Sequence, residues 1–272
     1  MDGIGEKLGK LAFIGGGKMG EAIISGLVNG AMFDPDSIHV AEPDLDRREF
    51  LSAHYGVNTY ESGCDISHPT TVILAVKPQV LPEVCRQLAA SPNFDPTRII
   101  SIAAGVTTTT LRSLFAEGAL IRVMPNAPLM VGAGMSVVCV ASDTARTEGE
   151  VVRELFSLMG EAIVLDESQL NAVTAISGSG PAYFALFVEE LTKAGAEVGL
   201  TIDDALLLAV QTLRGTARYL ELTEASPEEL RAAVTSPKGT TAAAIEEFES
   251  QGLSAMVTAA VRAAVKRAEE LA

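Results

Sequence analysis

Along residues 10–76, short apolar runs alternate with amphipathic stretches. KLAFIG reads as a strand, GEAIISGLVNG as a helix with small residues toward its neighbour, and SIHVAE as a second strand. DRREFLSAHYG follows as a second helix and TTVILAV as a nearly all-apolar third strand. Continuous apolar runs of this length between helices predict a parallel sheet covered on both faces. PQVLPEVCRQLAA, RIISIAAG, TLRSLFAEG, LIRVMPN and MSVVCVAS continue the alternation, and VVRELFSLMG and AIVLD close it. From about residue 168 the strand signals stop. PAYFALFVEELTKAGAEVGL, DDALLLAVQTLRGTARYLEL, SPEELRAAV and the last two segments follow helical spacing. ALLLAVQTL is apolar around most of its circumference, and a domain of ~100 residues can hardly cover such helices alone. The pattern predicts an α/β sheet domain over residues 1–167 and an all-α domain over 168–272 that buries its apolar faces against a second copy of the chain.

The 272 residues suffice for two ordinary domains, and 48% hydrophobic residues can fill a sizeable core. With 35 acidic against 20 basic residues, the formal charge is −15. Such a surface repels phosphate backbones and anionic lipid, so nucleic acid and membrane surfaces are excluded as partners. A small anionic ligand is compatible only where local dipoles or cations overcome that field. Cys64, Cys85 and Cys139 are odd in number and lack a CxxC, which suits a reduced, cytoplasmic protein. The first ten residues, MDGIGEKLGK, lack the apolar core of a signal peptide. Segments 123–142 and 168–188 carry no charge, but prolines and an SGSGP turn interrupt them, so neither reads as a membrane span.

AFIGGGKMGEAI sets Gly15, Gly17 and Gly20 in a GxGxxG directly after a strand and at a helix start. The first glycine permits the tight turn, the second lets a pyrophosphate approach, and the third lets helix and strand pack closely. The helix terminus supplies N–H groups to the phosphates. Glu42 ends the second strand, where a carboxylate accepts from the adenosine ribose hydroxyls and disfavours a 2′-phosphate. Arg47 and Arg48 follow; they either embrace such a phosphate or lie on a solvated helix face. Glu42 tips the reading toward NADH. Lys77, after the third strand, falls at a carboxyl end of the sheet, where ligands of such folds lie.

Candidates for proton transfer are few. His39, His54 and His68 are scattered, with no metal-ligand spacing to another His or Cys, so no metal site is expected. GxSxG is absent, and SGSGP reads as a turn before a Pro-initiated helix. VTSPKGTT, residues 234–241, admits two readings. In one, Ser236 merely caps the next helix with Pro237 at its first position. In the other, the amides of Lys238, Gly239 and Thr240 or Thr241 are left bare for a carboxylate, with Gly239 removing a shielding Cβ and the Thr hydroxyls adding neutral donors.

FIGGGKMGEAI, VILAVKPQ, ISIAAGV, RVMPNAP followed by VGAGMS, AVTAISGSGPAY and VTSPKGTT together resemble the pyrroline-5-carboxylate reductase family over nearly the whole chain. The resemblance implies a Rossmann-type doubly wound domain followed by an all-α dimerisation domain. It also implies NAD(P)H-dependent reduction of 1-pyrroline-5-carboxylate to L-proline, and a homodimer commonly assembled into a decamer-like ring. Matching motif positions assign Ile14, Gly15, Gly16, Gly17, Lys18, Met19 and Gly20, with Ala75, Val76, Lys77 and Pro78, to the dinucleotide. They set Glu42 at the adenosine ribose and Ile102, Ala103 and Ala104 at the nicotinamide end. Ser236, Gly239, Thr240 and Thr241 are assigned to the substrate, with Thr241 as the catalytic residue donating toward the ring nitrogen. The chain departs from the family in three places: Lys238 stands where SPGGTT has its first glycine, Ala127 replaces Thr in MPNTP, and Ser62 stands where Asn often contacts the cofactor. A protonated cyclic imine accepts hydride directly and gives up its charge in doing so. Catalysis then rests mainly on positioning.

Two other readings compete. A β-hydroxyacid dehydrogenase would use a Lys on a helix of the second domain, for which Lys193 is the one candidate on the first long helix. A non-catalytic dinucleotide sensor would have no need of a bare helix terminus.

Overall fold

The computed structural model describes residues 3–30, 33–140 and 146–271. Ala141 and Ser142, the end of the run read as a strand in MSVVCVAS, lie outside the described residues. The chain divides into two compact units, one running to Ser179 and including the segment from Ala264, the other spanning Gly180–Ala263.

The first unit is built on eight strands among the described residues: β1 (Leu11–Ile14), β2 (Ile38–Ala41), β3 (Asn58–Tyr60), β4 (Thr71–Leu74), β5 (Arg98–Ser101), β6 (Ala119–Met124), β7 (Gly134–Val140) and β8 (Gly160–Val164). They form one sheet in the order β3-β2-β1-β4-β5-β6-β7-β8. Seven-residue helix α5 (Thr108–Leu114) and the longer α2 (Lys18–Asn29), α3 (Leu45–Tyr55), α4 (Leu81–Ala89) and α6 (Arg146–Ser157) connect them, after a first turn of helix, α1 (Ile4–Leu8).

Alternate residues of β1 serve opposite faces. Leu11 and Phe13 join one core with Ile23, Leu27, Leu51 and Phe156; Ala12 and Ile14 join another with Leu81, Cys85, Leu111 and Phe115. The sheet is therefore covered on both sides, as its apolar strands require. It is not wholly parallel. β6 and β7 pair antiparallel, with Met124 opposite Val137, while the other pairs run parallel. Residues 125–133 hold only a 3₁₀ segment, Ala127–Val131, too short for the crossover that a parallel neighbour needs. β3 has no counterpart in the sequence reading, since NTY is short, polar and half-buried at the sheet edge.

Where SGSGP suggested a turn, the chain forms α7 (Leu170–Val173), then a π-helical stretch, Thr174–Gly178, and then α8 (Gly180–Glu197). Ser179 N–H donates to Thr174 O at 2.8 Å, the wide closure that replaces a tight turn. Asn126 fastens this stretch to the sheet. Its Nδ2 donates to Ser177 O at 3.0 Å, and its Oδ1 accepts from Met135 N–H at 2.9 Å.

The second unit holds α8, then α9 (Ile202–Thr223), α10 (Pro227–Ala233), α11 (Thr240–Ser250) and the greater part of α12 (Leu253–Leu271). α8 and α9 pack closely at their junction, where a Cβ on Gly195 would stand 2.8 Å from Ala205 Cβ. The apolar faces anticipated from the sequence are open in the single chain: Phe184 is 59% exposed, Leu207 68% and Met256 63%. No helix of the described residues is long and apolar enough to cross a membrane.

Candidate functional site

β1 lies between β2 and β4, where the chain order of the sheet reverses, and the crevice beyond their carboxyl ends is where doubly wound sheets hold ligands. Ile14 ends β1 there, paired with Ala41 and Leu74. Gly15 turns the chain with φ +107°, and a Cβ would lie 2.9 Å from the Ala75 carbonyl. Only glycine fits both demands. A Cβ on Gly20 would stand 2.5 Å from Gly15 O, so this glycine lets α2 close on the strand. Gly17 is different: among the described residues, nothing lies within 4 Å of its would-be Cβ. Its missing side chain leaves room that the protein does not use.

Gly17 is the N-cap of α2 and makes no side-chain cap. The first intrahelical bond is Glu21 N–H to Gly17 O, at 2.8 Å. The amides of Lys18, Met19 and Gly20 thus have no acceptor among the described residues. An exposed lysine, an open glycine and three free donors on a helix dipole form a cradle that fits a pyrophosphate, in a protein whose overall charge opposes it.

The residues flanking this cradle gather at the same sheet edge. Ala75 N–H donates to Ile14 O at 2.8 Å, and Lys77 and Pro78 follow, with Val76 half-buried and Lys77 exposed. Ile102 N–H donates to Leu74 O at 3.2 Å, which leads Ala103 and Ala104 out beside the end of β4. Ser62 caps a 3₁₀ turn, Gly63–Asp65, accepting from Cys64 N–H at 3.2 Å. That turn packs on β1, since a Cβ on Gly63 would lie 2.8 Å from Ile14 Cδ1.

Glu42 is anchored at both oxygens: Oε2 accepts from Gly16 N–H at 2.9 Å and Oε1 from Asp44 N–H at 3.1 Å. Each oxygen keeps a second lone pair for a hydroxyl. Arg47 and Arg48 are both half-buried and both engaged. Arg48 donates to Glu42 O at 2.7 Å and Pro43 O at 2.9 Å. Arg47 donates from Nε to Gly16 O at 2.7 Å and pairs with Glu21 through Nη2. Burial works to raise the Glu21 pKa, but hydrogen bonds from Arg47 and Tyr55 and the charge of Arg47 prevail, holding the carboxyl below the ordinary carboxylate range.

A second ion pair lies beyond β6. Glu167 accepts from Arg122 Nη1 at 2.5 Å, from Thr108 N–H at 2.8 Å and from the Thr108 hydroxyl. It ties down the first turn of α5, which follows the Ile102–Ala104 segment. Burial pushes the Glu167 pKa up, yet the Thr108 and Arg122 bonds outweigh it and lower the value. Neither Glu21 nor Glu167 could be singled out in the sequence, because their partners lie 26 and 45 residues away with no motif joining them.

The four substrate residues assigned from the sequence, Ser236, Gly239, Thr240 and Thr241, sit together in the second unit. Their local structure differs from the capping expected. The N-cap of α11 is Gly239, not Ser236, and the helix starts at Thr240 rather than Pro237. Gly239 N–H donates to Ser236 O at 2.9 Å, closing a turn in which Lys238 has φ +61°. A left-handed residue cannot continue a right-handed helix, so the helix begins after it. Gly239 N–H is therefore occupied, and the bare donors move on. Ala243 N–H makes the first bond, to Gly239 O at 3.2 Å, so the amides of Thr240, Thr241 and Ala242 have no acceptor among the described residues. Gly239 makes no side-chain cap, and a Cβ there would lie 2.4 Å from Ser236 Oγ. The Ser236 hydroxyl is thus held beside the open helix end.

Residues 167–271 match the family model described as pyrroline-5-carboxylate reductase dimerisation, and residues 10–105 match one described as NADP oxidoreductase, coenzyme F420-dependent. Among curated relatives, a pyrroline-5-carboxylate reductase of Synechocystis sp. is 39% identical over 263 residues, covering 96% of this chain and 98% of the relative. A pyrroline-5-carboxylate reductase structure from Coxiella burnetii superposes with a TM-score of 0.88 at 35% identity, covering 97% of this chain and 99% of the other. A pyrroline carboxylate reductase structure from Plasmodium falciparum, with NADP bound, superposes with a TM-score of 0.86 at 27% identity, covering 97% and 98%.

Proposed function

The chain belongs to the pyrroline-5-carboxylate reductase family, and from that premise we propose what each part of its site does. It is an NAD(P)H-dependent oxidoreductase that reduces pyrroline-5-carboxylate to proline in proline biosynthesis. Its C-terminal part is a dimerisation domain, and the chain forms a homodimer through it.

When bound, the dinucleotide supplies the hydride that reduces the C=N carbon. Ile14 to Gly20 and Ala75 to Pro78 hold it, with the free amides of α2 and the Lys77 ammonium meeting its phosphate charge. Glu42 accepts from the adenosine ribose, Ser62 supports the same end of the sheet, and Ile102 to Ala104 bound the nicotinamide. The amides of Thr240, Thr241 and Ala242, with the Ser236 hydroxyl, hold the substrate carboxylate, and Gly239, lacking a Cβ, leaves room for that hydroxyl. The Thr241 hydroxyl faces the ring nitrogen: its oxygen accepts from the iminium N–H before reduction, and its O–H donates to the lone pair that reduction creates. No strong acid is needed, because the imine enters protonated and loses its charge on reduction; orientation by these donors is worth several kcal/mol at about this level of preorganisation. Residues 1–167 form the dinucleotide-binding domain in this reading, and 168–272 the dimerisation and substrate-binding domain.

We further infer that NADH is preferred. A 2′-phosphate at Glu42 would face that carboxylate while both neighbouring arginines are engaged elsewhere. The homodimer is proposed to assemble into a higher ring and to work in the cytoplasm, in keeping with the three free thiols.

The observation that carries this assignment is the run of unpartnered amides at Thr240, Thr241 and Ala242, a ready anion site at the head of an eleven-residue helix. The test is to follow NADH and NADPH oxidation in parallel with pyrroline-5-carboxylate, and to offer 3-hydroxy acids with the oxidised cofactors. Turnover confined to the cyclic imine and faster with NADH is expected. A better rate with NADPH would overturn the cofactor preference, and comparable turnover of 3-hydroxy acids the substrate reading.

A further inference from the structure

Gly16 is held at both ends of its backbone. Its N–H donates to Glu42 Oε2 at 2.9 Å, and its carbonyl accepts from Arg47 Nε at 2.7 Å. The carboxylate assigned to the ribose and the Arg47 guanidinium therefore meet on a single residue of the glycine loop. An arginine so close to the ribose is placed to take a 2′-phosphate, since its planar fork matches a phosphate in bidentate fashion. Other parts of the guanidinium are committed elsewhere. Nη2 pairs with Glu21 Oε2, and Cζ lies over the Phe50 ring, 5.1 Å from its centroid. The other Glu21 oxygen accepts from Tyr55 OH at 2.9 Å, so the carboxylate itself is held in place. Arg48 offers no substitute, because it is folded back onto the carbonyls of Glu42 and Pro43.

We propose that Glu21 is a specificity-determining residue: from the first turn of α2 it keeps the Arg47 guanidinium engaged, so that it does not turn to a 2′-phosphate on the adenosine ribose, and thereby enforces NADH over NADPH. A 2′-phosphate would have to pull Arg47 off Glu21, leaving a half-buried carboxylate without its cation, and would still face Glu42. Glu21→Gln keeps the length of the side chain and a partner for Tyr55 while removing the charge that holds Arg47. The proposal rests on the preference for NADH drawn above and names its cause.

Binding to the apo dimer decides it. Dissociation constants for NADH and NADPH are measured by titration calorimetry on the wild type, Glu21→Gln, Arg47→Ala and the double variant, with melting temperatures as a check on folding. Glu21→Gln is expected to tighten NADPH tenfold or more while NADH stays within about twofold. Arg47→Ala alone is expected to leave the wild-type ratio unchanged, and in the Glu21→Gln background to abolish the gain. Tyr55→Phe, which frees one side of Glu21 without altering any charge, is expected to shift the ratio in the same direction by a smaller factor. The ratio of kcat/KM for the two cofactors should move in parallel. An NADH-preferring wild type whose ratio is unmoved by Glu21→Gln, or a gain that survives loss of Arg47, overturns the tether alone. A wild type that already binds NADPH more tightly overturns the Glu42 reading and the tether with it.

Discussion

Gly17→Ala adds one methyl group where no described atom lies within 4 Å to receive it. The backbone there has φ −66° and ψ −175°, an extended conformation that alanine adopts without strain. Alanine is a poorer N-cap than glycine by about 0.5–1 kcal/mol. Reduced freedom of the unfolded chain offsets this by about 0.4–1 kcal/mol. The net change in stability should stay within roughly 1 kcal/mol, a shift in Tm of about 2–4 °C at most for a chain of this size. Ligand binding should suffer far more, because the methyl stands at the mouth of the free amides of Lys18, Met19 and Gly20. A hydrogen bond to a charged group contributes about 1.5–3 kcal/mol, so losing even one weakens affinity roughly 10- to 150-fold. Gly20→Ala provides the contrast. Its Cβ would stand 2.5 Å from the Gly15 carbonyl oxygen, a backbone atom, and crowding of that kind costs about 1–3 kcal/mol of stability. Calorimetric titration of NADH and thermal melts of the apo protein measure both effects. If Gly17→Ala bound NADH within twofold of the wild type, the open glycine would not be the pyrophosphate seat, and the cradle at α2 would have to be abandoned.

Three further outcomes are expected. Thr241→Ala removes one neutral donor, worth about 0.5–1.5 kcal/mol, and should lower kcat/KM for pyrroline-5-carboxylate by roughly 2- to 12-fold with dinucleotide affinity intact; lost dinucleotide binding would contradict the assignment of Thr241 to the substrate. Lys238→Gly relieves a non-glycine residue at φ +61° and should raise stability by about 0.5–1 kcal/mol, seen as a higher Tm; a lower Tm would mean that the Lys238 side chain stabilises the loop by more than its backbone strain costs. Glu167 has a folded pKa below its unfolded value of about 4.3, so its contribution is fully present above that pH and is lost as pH falls through the folded value. The stability gap between wild type and Glu167→Gln should therefore shrink on acidification below about pH 4.5, and a gap constant down to pH 3 would show that the carboxylate is not held by Arg122 and Thr108.

Periodicity made the layered sheet legible because its strands are buried on both faces and read as unbroken apolar runs; Phe13 and Ile14 serve opposite cores yet are equally apolar. The glycine loop was legible for the same reason that it works, since positive φ at Gly15 and close approach at Gly20 admit no other residue. Strand β3 was missed because an edge strand of Asn, Thr and Tyr has no hydrophobic signature. The antiparallel β6–β7 pair was hidden by the assumption that alternation continued where residues 125–133 leave no room for a crossover helix. In SPKGTT, Ser and Pro carry strong local capping signals, but a left-handed Lys238 overrode them and moved the cap to Gly239. The composition of SGSGP gave no hint of a π-helix, which Ser179 closes by reaching back to Thr174. Long-range pairs such as Glu21–Arg47 and Glu167–Arg122 depend on tertiary placement and cannot be read from spacing.

The proposed grip on the substrate by the amides of Thr240, Thr241 and Ala242 needs a carboxylate, and the comparison that isolates it is kcat/KM for pyrroline-5-carboxylate against 1-pyrroline, the same cyclic imine without its acid group. Two charge-assisted hydrogen bonds of about 1.5–3 kcal/mol each set the expected loss at roughly 10²- to 10⁴-fold for 1-pyrroline. Equal efficiency on the two imines would mean that the open end of α11 holds no acid group during turnover.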